Sequence, residues 1–180
     1  MTRKFSPFLI LPPLVFFVLA GLFFFGMQRE NPDELSSTLI GLKTPAIKEV
    51  TLEGYPLFTN DMLLEDEIKL VNFWASWCPP CRLEHDTLVE LADRGIKIYG
   101  VNFKDRPENG IEFLTEEGSP FAGVTVDREG RAGLDWGVTG LPETFIIGRD
   151  GTVIYRFAGP LIKENYTVRF LPELEKALKQ

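Results

Sequence analysis

The chain has 180 residues, of which 44% are hydrophobic and 25% are charged, so it can bury a core and is not disordered throughout. This length predicts one globular domain. The formal net charge of -7 excludes the basic footprint of a nucleic-acid-binding protein, and the sequence contains neither a Walker motif nor a glycine-rich dinucleotide-binding motif.

A long apolar segment opens the chain. No charged residue occurs from Phe5 to Met27, a length that would form ~30 Å or more of helix, enough to cross a bilayer. The segment is longer than the apolar part of a cleaved signal peptide and lacks a clear A-x-A site, which favours an uncleaved anchor. Because Arg3 and Lys4 precede it, we expect a single-pass bacterial inner-membrane protein anchored by residues 1–28, with its main domain in the periplasm.

The segment after the anchor changes in composition. Residues 29–44 are polar, contain proline and serine, and predict a tether to a globular domain over residues 45–180. Within that domain, Ile47–Leu52 is a candidate first strand and Phe58–Leu64 a candidate short helix. Ile68–Trp74 is a nearly continuous apolar run, which predicts a strand covered on both faces.

The later elements alternate between helices and strands. A helix is predicted from Pro79, where the missing amide hydrogens of Pro79 and Pro80 do no harm, to Arg94, before Gly95. The next predicted elements are strand Ile96–Phe103, helix Pro107–Glu116, strand Phe121–Val126, strands Thr144–Ile147 and Thr152–Phe157 joined by a turn, and helix Lys163–Lys179. This order predicts an α/β fold with a central mixed β-sheet flanked by helices.

Both cysteines lie at the predicted start of the helix after the apolar strand. Cys78 and Cys81, at positions i and i+3, fall on one side of the first turn, so they can form a disulfide. Cys78 is nearer the expected exposed end and is the candidate nucleophile, with Cys81 as the resolving thiol. Because Pro79 and Pro80 cannot donate hydrogen bonds to a Cys78 thiolate, we predict a reducing couple with a potential below about -180 mV.

Other uses of two cysteines fit the sequence less well. A zinc site needs further ligands, but the only histidine is His85, and a copper carrier needs a distant histidine. Covalent haem attachment needs histidine directly after the second cysteine, where the chain has Arg82. A permanent structural disulfide over so short a span would stabilise little. We therefore predict redox cycling with no metal and no cofactor beyond the cysteine pair.

The predicted helix places an acidic residue on the same stripe as Cys81. Glu84 and His85 fall on that stripe near the active-site end, together with the apolar residues that face the core. Burial would raise the pKa of Glu84 and let it exchange protons with the Cys81 thiol. His85 could fill the same role, and an exposed Glu84 that interacts with the helix dipole is the alternative.

Two more segments come to the ends of predicted strands. The segment Asn102–Asp105 ends a strand that is expected beside the one that presents Cys78. Ligands of open α/β sheets bind at this edge. A charged loop with no function is the alternative interpretation of the same residues. Pro142 comes where a later strand begins, a position that sheets tolerate and where a cis bond can form a tight turn.

The motifs around the cysteines resemble a known superfamily. Phe73–His85 together with Gly140–Phe145 is similar to the thioredoxin superfamily, over about residues 38–178. Within it, Gly100–Asp105 resembles a segment of the membrane-anchored cytochrome c maturation thiol-disulfide proteins. That group has tyrosine where this chain has Phe103. The phenylalanine would leave the groove without the tyrosine hydroxyl.

The resemblance implies a thioredoxin-like fold and a particular active site. Leu141–Pro142 should be a cis bond beside Cys78, with the Leu141 backbone left to pair with an extended substrate segment. Glu84 becomes the acidic residue behind the active site. The residues implied to line the substrate groove are Trp77, Pro79, Pro80, Lys104, Leu141, Pro142 and Glu143.

The resemblance also implies partners. The reduced protein would give electrons to a disulfide of exported apocytochrome c, or of the chaperone that holds it, and a membrane thiol reductase would restore the dithiol. Three other readings stay open: a less selective periplasmic thiol reductase or oxidase, a copper carrier, and a redox-silent membrane scaffold.

Overall fold

The computed structural model describes residues 11–27 and 37–179 in two units, Met1–Leu35 and Ser36–Gln180. In the first unit, the uncharged helix α1 comprises Leu11–Met27. The predicted membrane helix over residues 1–28 is not found among the described residues, where no helix is both long enough and apolar enough to span a bilayer. With 17 residues, α1 is about 25 Å long. The remainder of the predicted segment, 1–10 and 28, lies outside the described residues.

The second unit is built on a five-stranded sheet in the order β3-β2-β1-β4-β5. Strands β1 and β2 are parallel, as are β2 and β3, whereas β4 runs antiparallel to both β1 and β5, so the predicted mixed sheet is confirmed. The strands are β1 (Lys69–Trp74), β2 (Lys97–Phe103), β3 (Gly123–Asp127), β4 (Glu143–Ile147) and β5 (Val153–Ala158).

Helices flank the sheet, and most of them match the predicted positions. The predicted short helix before β1 is a 3₁₀ helix, Asn60–Leu64. The α-helices of this unit are α2 (Pro79–Asp93), α3 (Pro107–Glu117), α4 (Arg131–Asp135) and α5 (Leu171–Leu178). The sequence did not predict α4. The predicted closing helix is divided, since a π-helical turn over Asn165–Phe170 precedes α5 and Pro172 lies in the first turn of α5.

Two predictions about the start of this unit need correction. Ile47–Leu52 is not a strand in the described structure, because its only ladder contact is an isolated bridge between Thr51 and Thr125. The Thr125 hydroxyl instead donates to the carbonyl of Lys48 at 2.9 Å. Residues 41–44, within the predicted tether, hydrogen-bond to residues 151–153, so the folded unit begins before residue 45.

The core lies on both faces of the sheet, with β1 at its centre. Leu70 and Trp74 point into one apolar cluster and Val71 and Phe73 into the other, and all four side chains are buried. On the second face the Phe73 ring lies 5.5 Å from the ring of Trp136. Because apolar side chains hold β1 from both sides, its carboxyl end is fixed where the chain passes into the cysteine segment.

Candidate active site

The two cysteines form a disulfide at the start of α2. Cys78 is the N-cap residue, with extended backbone angles of φ -96° and ψ 103°, and its Cα lies 5.3 Å from that of Cys81. Pro79 and Pro80 occupy the first two helical positions, as predicted. The Cys81 amide donates to the Cys78 sulfur at 3.2 Å, so one backbone hydrogen bond is directed at this sulfur.

The disulfide is more buried than the sequence indicated. The exposed fractions are 2% for Cys78 and 3% for Cys81, so Cys78 is not the more exposed cysteine in this oxidised form. Both sulfur-bearing residues belong to the apolar cluster that also contains Trp74. Cys78 is distinguished from Cys81 by its N-cap position, because the Cys81 amide donates a hydrogen bond to the Cys78 sulfur.

An aspartate from a neighbouring loop holds the segment just before Cys78. One oxygen of Asp105 accepts from the Ser76 amide at 2.6 Å and from the Asn102 side chain at 3.0 Å. The other oxygen accepts from the Ser76 hydroxyl at 2.9 Å and from the Arg106 amide at 2.8 Å. The segment Asn102–Asp105 is therefore a brace between the end of β2 and the active-site loop, and is more than a plain charged loop.

We expect Asp105→Asn to loosen this loop. An amide nitrogen would face at least one of the present donors, which should lower the free energy of unfolding by about 1–2 kcal/mol. Urea unfolding of the oxidised protein measures this loss, with the exposed Asp86→Asn of α2 as the control. If the two variants unfold alike, Asp105 does not brace the loop.

The tryptophan before Cys78 and the lysine of the bracing loop lie together. The Trp77 indole donates to the Lys104 carbonyl at 3.1 Å while 56% of the tryptophan remains exposed. Lys104 is exposed and has a left-handed backbone with φ 47°, and its amine lies 5.0 Å from the centre of the half-buried Phe103 ring. Pro79 is also exposed, so an aromatic ring, a proline and a cation share the surface at this edge of the sheet.

Glu84 is buried behind the cysteines, as one of the two readings of the helix predicted. Its exposed fraction is 0%, and its two oxygens accept hydrogen bonds from the Asn72 side chain at 2.9 Å and from the Leu161 amide at 2.8 Å. Burial raises the pKa of Glu84 from 4.5 to about 7, although the two hydrogen bonds act in the opposite direction. Glu84 can therefore gain or lose a proton near neutral pH.

His85 points elsewhere. Its Nε2 atom lies 3.1 Å from the Gly118 carbonyl oxygen, and its ring meets that of Phe113 edge to face at 5.3 Å. These contacts engage the imidazole on the side of α3. The geometry favours Glu84 over His85 as the group that exchanges protons with Cys81.

The Leu141–Pro142 peptide bond is cis, at the entry to β4. Because Glu143 pairs with Phe73 near the end of β1, this bond lies at the same edge of the sheet as the cysteines. Pro142 is buried and Leu141 is half-buried. In the described part of the chain, the backbone N–H and C=O of Leu141 have no hydrogen-bond partner.

Glu143 does not lie on the groove surface, in contrast to the prediction. Its exposed fraction is 1%, and both of its oxygens accept from the buried Arg156 guanidinium at 2.8 Å. One oxygen also accepts from the amides of Thr139 at 2.8 Å and Gly140 at 3.1 Å. The buried ion pair shapes the loop before the cis proline, because the carboxylate needs these donors once it leaves water.

Sequence reasoning did not single out Asn72, Leu161 or Arg156. Asn72 is a lone amide within the apolar strand β1, and Arg156 is a lone cation within the apolar strand β5. A polar residue inside an otherwise buried strand is the available signal, since it needs a partner. Leu161 acts through its backbone amide and carries no such signal. Within the described ranges, no group of three or more His, Cys, Asp or Glu could hold a metal ion.

Comparison with known proteins agrees with this architecture. The family model described as Redoxin matches residues 40–178. The thiol:disulfide interchange protein DsbE homolog of Paracoccus denitrificans is 51% identical over 175 residues, covering 97% of each chain. HelX, a thiol:disulfide interchange protein of Rhodobacter capsulatus, is 43% identical over 94% of this chain and 96% of its own. The fold matches the thioredoxin domain of a thiol-disulfide oxidoreductase from Bacteroides vulgatus, with a TM-score of 0.62 and 20% identity, covering 77% of this chain and 97% of that one.

The mixed sheet, the cysteine pair at the start of α2 and the cis proline define a thioredoxin-like thiol-disulfide oxidoreductase. Its redox group is its own cysteine pair. The chain belongs to the Redoxin family, as a thiol:disulfide interchange protein of the DsbE type.

Proposed function

We propose that this protein is a periplasmic reductase, attached to the inner membrane, that reduces a disulfide in apocytochrome c or in its holding chaperone before haem attachment. The observation that carries the proposal is the Cys78–Cys81 pair on a helix whose first two residues are prolines, beside the loop braced by Asp105. The choice of client is supported by the resemblance of Gly100–Asp105 to the cytochrome c maturation group and by relatives of the DsbE type.

The reaction begins with the dithiol form. The Cys78 thiolate attacks one sulfur of the substrate disulfide, forming a mixed disulfide and releasing the other substrate sulfur as a thiolate. Cys81 loses its proton and attacks the Cys78 sulfur, which closes the protein disulfide and releases the second substrate thiolate. The substrate gains two electrons and the protein loses two. A membrane thiol reductase then supplies two electrons to restore the dithiol.

Glu84 serves the second step as a proton acceptor. It lies one turn along α2 from Cys81, and both side chains are buried, so water is a poor competitor for the thiol proton. With a pKa raised to about 7 by burial, the carboxylate takes the Cys81 proton as the thiol becomes a nucleophile, and returns it when the disulfide is reduced.

The substrate binds as an extended segment at the cis-proline edge. The unpartnered N–H and C=O of Leu141, among the described residues, provide a place for strand addition. Exposed Trp77, Pro79 and Lys104, with half-buried Pro80, contact the residues that flank the substrate disulfide. Pro142 shapes this edge, and Glu143 acts indirectly by holding the loop that carries Leu141.

We expect a reduction potential below about -180 mV, because the prolines leave the Cys81 amide as the donor to the Cys78 sulfur. Pro80→Ala supplies an amide at the second helical position, which should stabilise the thiolate and raise the potential by about 20–30 mV. Glutathione equilibration measures both values, with Pro79→Ala as the control since a first-position amide points away from the cap side chain. A wild-type value near ~-120 mV would contradict the proposed direction of electron flow.

Client selectivity separates this proposal from the less selective reductase. The reduced protein is mixed with an oxidised apocytochrome c peptide that contains the CxxCH sequence, or with a matched peptide in which that histidine is alanine and the flanking residues are scrambled. Faster reduction of the first peptide is expected, by about tenfold or more, which corresponds to about 1.4 kcal/mol of binding to the flanking residues. Equal rates would favour the less selective reductase.

Membrane attachment is proposed from the uncharged segment Phe5–Met27, of which α1 is the described part. Its test is the distribution of the full chain after alkaline carbonate washing of membranes, compared with a chain that starts at residue 36. Recovery of the full chain in the wash would reject an integral anchor.

A further inference from the structure

A chain of three buried polar side chains runs from α2 to paired positions on the neighbouring strands β1 and β4. The carboxylate of Glu84 accepts from Asn72 of β1 at 2.9 Å, and the same amide nitrogen of Asn72 lies 3.0 Å from the hydroxyl oxygen of Thr144 on β4. The exposed fraction of all three residues is 0%. Glu84 has a part in the proposed reaction, but Asn72 and Thr144 have none so far.

These hydrogen bonds fit the ionised form of Glu84, and they leave the Asn72 oxygen and the Thr144 hydroxyl hydrogen without a role. Both amide hydrogens of Asn72 are donated, one to Glu84 and one to Thr144. The Asn72 oxygen has no hydrogen-bond partner in the described part of the chain, although it is buried. Since the Thr144 oxygen acts as the acceptor, its own hydrogen remains available for donation.

The protonated form of Glu84 needs the reverse arrangement. The Leu161 amide donates at 2.8 Å to one Glu84 oxygen, so a proton added to the carboxylate belongs on the other oxygen, which faces Asn72. A half turn of the Asn72 amide exchanges its nitrogen and oxygen, which are nearly equal in size. The Asn72 oxygen then accepts from both the Glu84 carboxylic acid and the Thr144 hydroxyl, while the Asn72 nitrogen takes the former position of the oxygen, which has no hydrogen-bond partner among the described residues.

We propose that Asn72 and Thr144 are positioning residues that keep Glu84 buried and hydrogen-bonded in both protonation states by reversing the direction of these two hydrogen bonds. This inference rests on the proposed function, in which Glu84 gains and loses the Cys81 proton. A buried carboxyl that had a partner in only one state would be held in that state, and would exchange protons poorly near neutral pH.

Among the groups packed around Glu84, Asn72 and Thr144 are the ones that can reverse their hydrogen bonds when Glu84 gains or loses a proton. On α2 its titratable neighbours are Cys81, one turn away, and His85, whose ring is engaged by the Gly118 carbonyl. Asn72 of β1 and Thr144 of β4 are uncharged, and the segment after β5 contributes the Leu161 backbone amide. The cause that raises the pKa of Glu84 is burial, and hydrogen bonds from Leu161 and Asn72 lower it.

Thr144→Val tests the reversal with little change in side-chain volume. Without the hydroxyl oxygen, one Asn72 hydrogen loses its acceptor in the ionised form, whereas the acid form can still donate to Asn72. The pKa of Glu84 should therefore rise by about one pH unit. It is measured from the side-chain carboxyl ¹³C resonance of the oxidised protein, which needs no substrate. Thr144→Ser retains the hydroxyl and should restore the wild-type pKa.

An unchanged Glu84 pKa in Thr144→Val, or an equal rise in Thr144→Ser, would overturn the inference. Asn72→Leu provides a second test and should raise the pKa further, because the charge-assisted hydrogen bond to Glu84 is lost. A Glu84→Gln background gives the functional control, since adding Thr144→Val there should leave the pH profile of Cys81 alkylation unaltered. If these titrations succeed while peptide reduction fails, the hydrogen-bond reversal stands and the proposed function falls.

Discussion

Replacing Cys78 and replacing Cys81 should have opposite effects on covalent adducts with substrate disulfides. Cys78→Ser removes the attacking sulfur, so disulfide reduction should fall by about three orders of magnitude or more. Cys81→Ser leaves the attacking sulfur but removes the thiol that resolves the mixed disulfide, so substrates should accumulate as covalent adducts of Cys78. Non-reducing gels followed by mass spectrometry of the trapped species measure both results.

The same experiment identifies the client. Because the chain has two cysteines, Cys78→Ser/Cys81→Ser is a complete control for adducts that do not involve the site. Apocytochrome c or its chaperone is the expected adduct in a detergent extract of periplasm and inner membrane, together with the membrane reductase that supplies electrons. Trapping that required Cys81 and occurred without Cys78 would reverse the assigned roles. Absence of adducts and of thiol reactivity would support the redox-silent scaffold.

Glu84→Gln should make the protein more stable at neutral and alkaline pH. Because burial raises the pKa of Glu84 from 4.5 to about 7, folding favours the protonated form. The stability that this proton contributes is complete below pH about 4.5 and is lost as the pH rises through about 7. The loss amounts to about 3 kcal/mol, and glutamine, which stays neutral, does not undergo it.

The measurement is the difference in unfolding free energy between Glu84→Gln and the wild type, from urea titrations of the oxidised proteins between pH 4 and pH 9. Other titrating groups cancel in this difference, which should move in favour of the variant from pH about 4.5 upward and level off above pH about 7. A constant offset of about 1 kcal/mol is expected from imperfect hydrogen bonds of the new amide. Exposed Glu90→Gln on the same helix is the control. A difference that does not vary with pH would show that Glu84 does not titrate in this range.

The two predictions test separate parts of the mechanism. The cysteine variants test which sulfur attacks and which client is attacked. The Glu84 variant tests whether the buried carboxyl of Glu84 titrates near neutral pH. A copper carrier would give a different result, because it would bind Cu(I) through both thiols and would not exchange disulfides. Retained reductase activity without tight Cu(I) binding would reject it.

Much of this architecture was accessible from the sequence because it depends on local rules. The apolar run before the cysteines predicted β1, and the two prolines predicted the first turn of α2, where they lie. A turn was predicted between Ile147 and Thr152, and in the structure β4 ends at Ile147 and β5 begins at Val153. Each of these signals involves residues within a few positions of one another, where backbone sterics and hydrogen bonding are the same in any fold.

The predictions that failed or were not made concern contacts between distant residues. Glu143 was expected on the groove surface, but Arg156, 13 residues later, draws it into a buried ion pair. Ile47–Leu52 has the composition of a strand, yet the side chain of Thr125, rather than a ladder, satisfies much of its backbone. In both cases, the partner that decides the outcome comes from another element.

The sequence by itself determined that two cysteines begin a helix after a buried strand, that prolines limit the amides directed at the first sulfur, and that a glutamate lies one turn beyond the second. Only the tertiary structure decided what that glutamate can do. Its hydrogen-bond partner Leu161 is 77 residues away, and Asn72 is joined to Thr144 across 72 residues. The pKa of a buried carboxyl depends on which donors and how much water surround it, and these depend on packing between β1, β4 and α2.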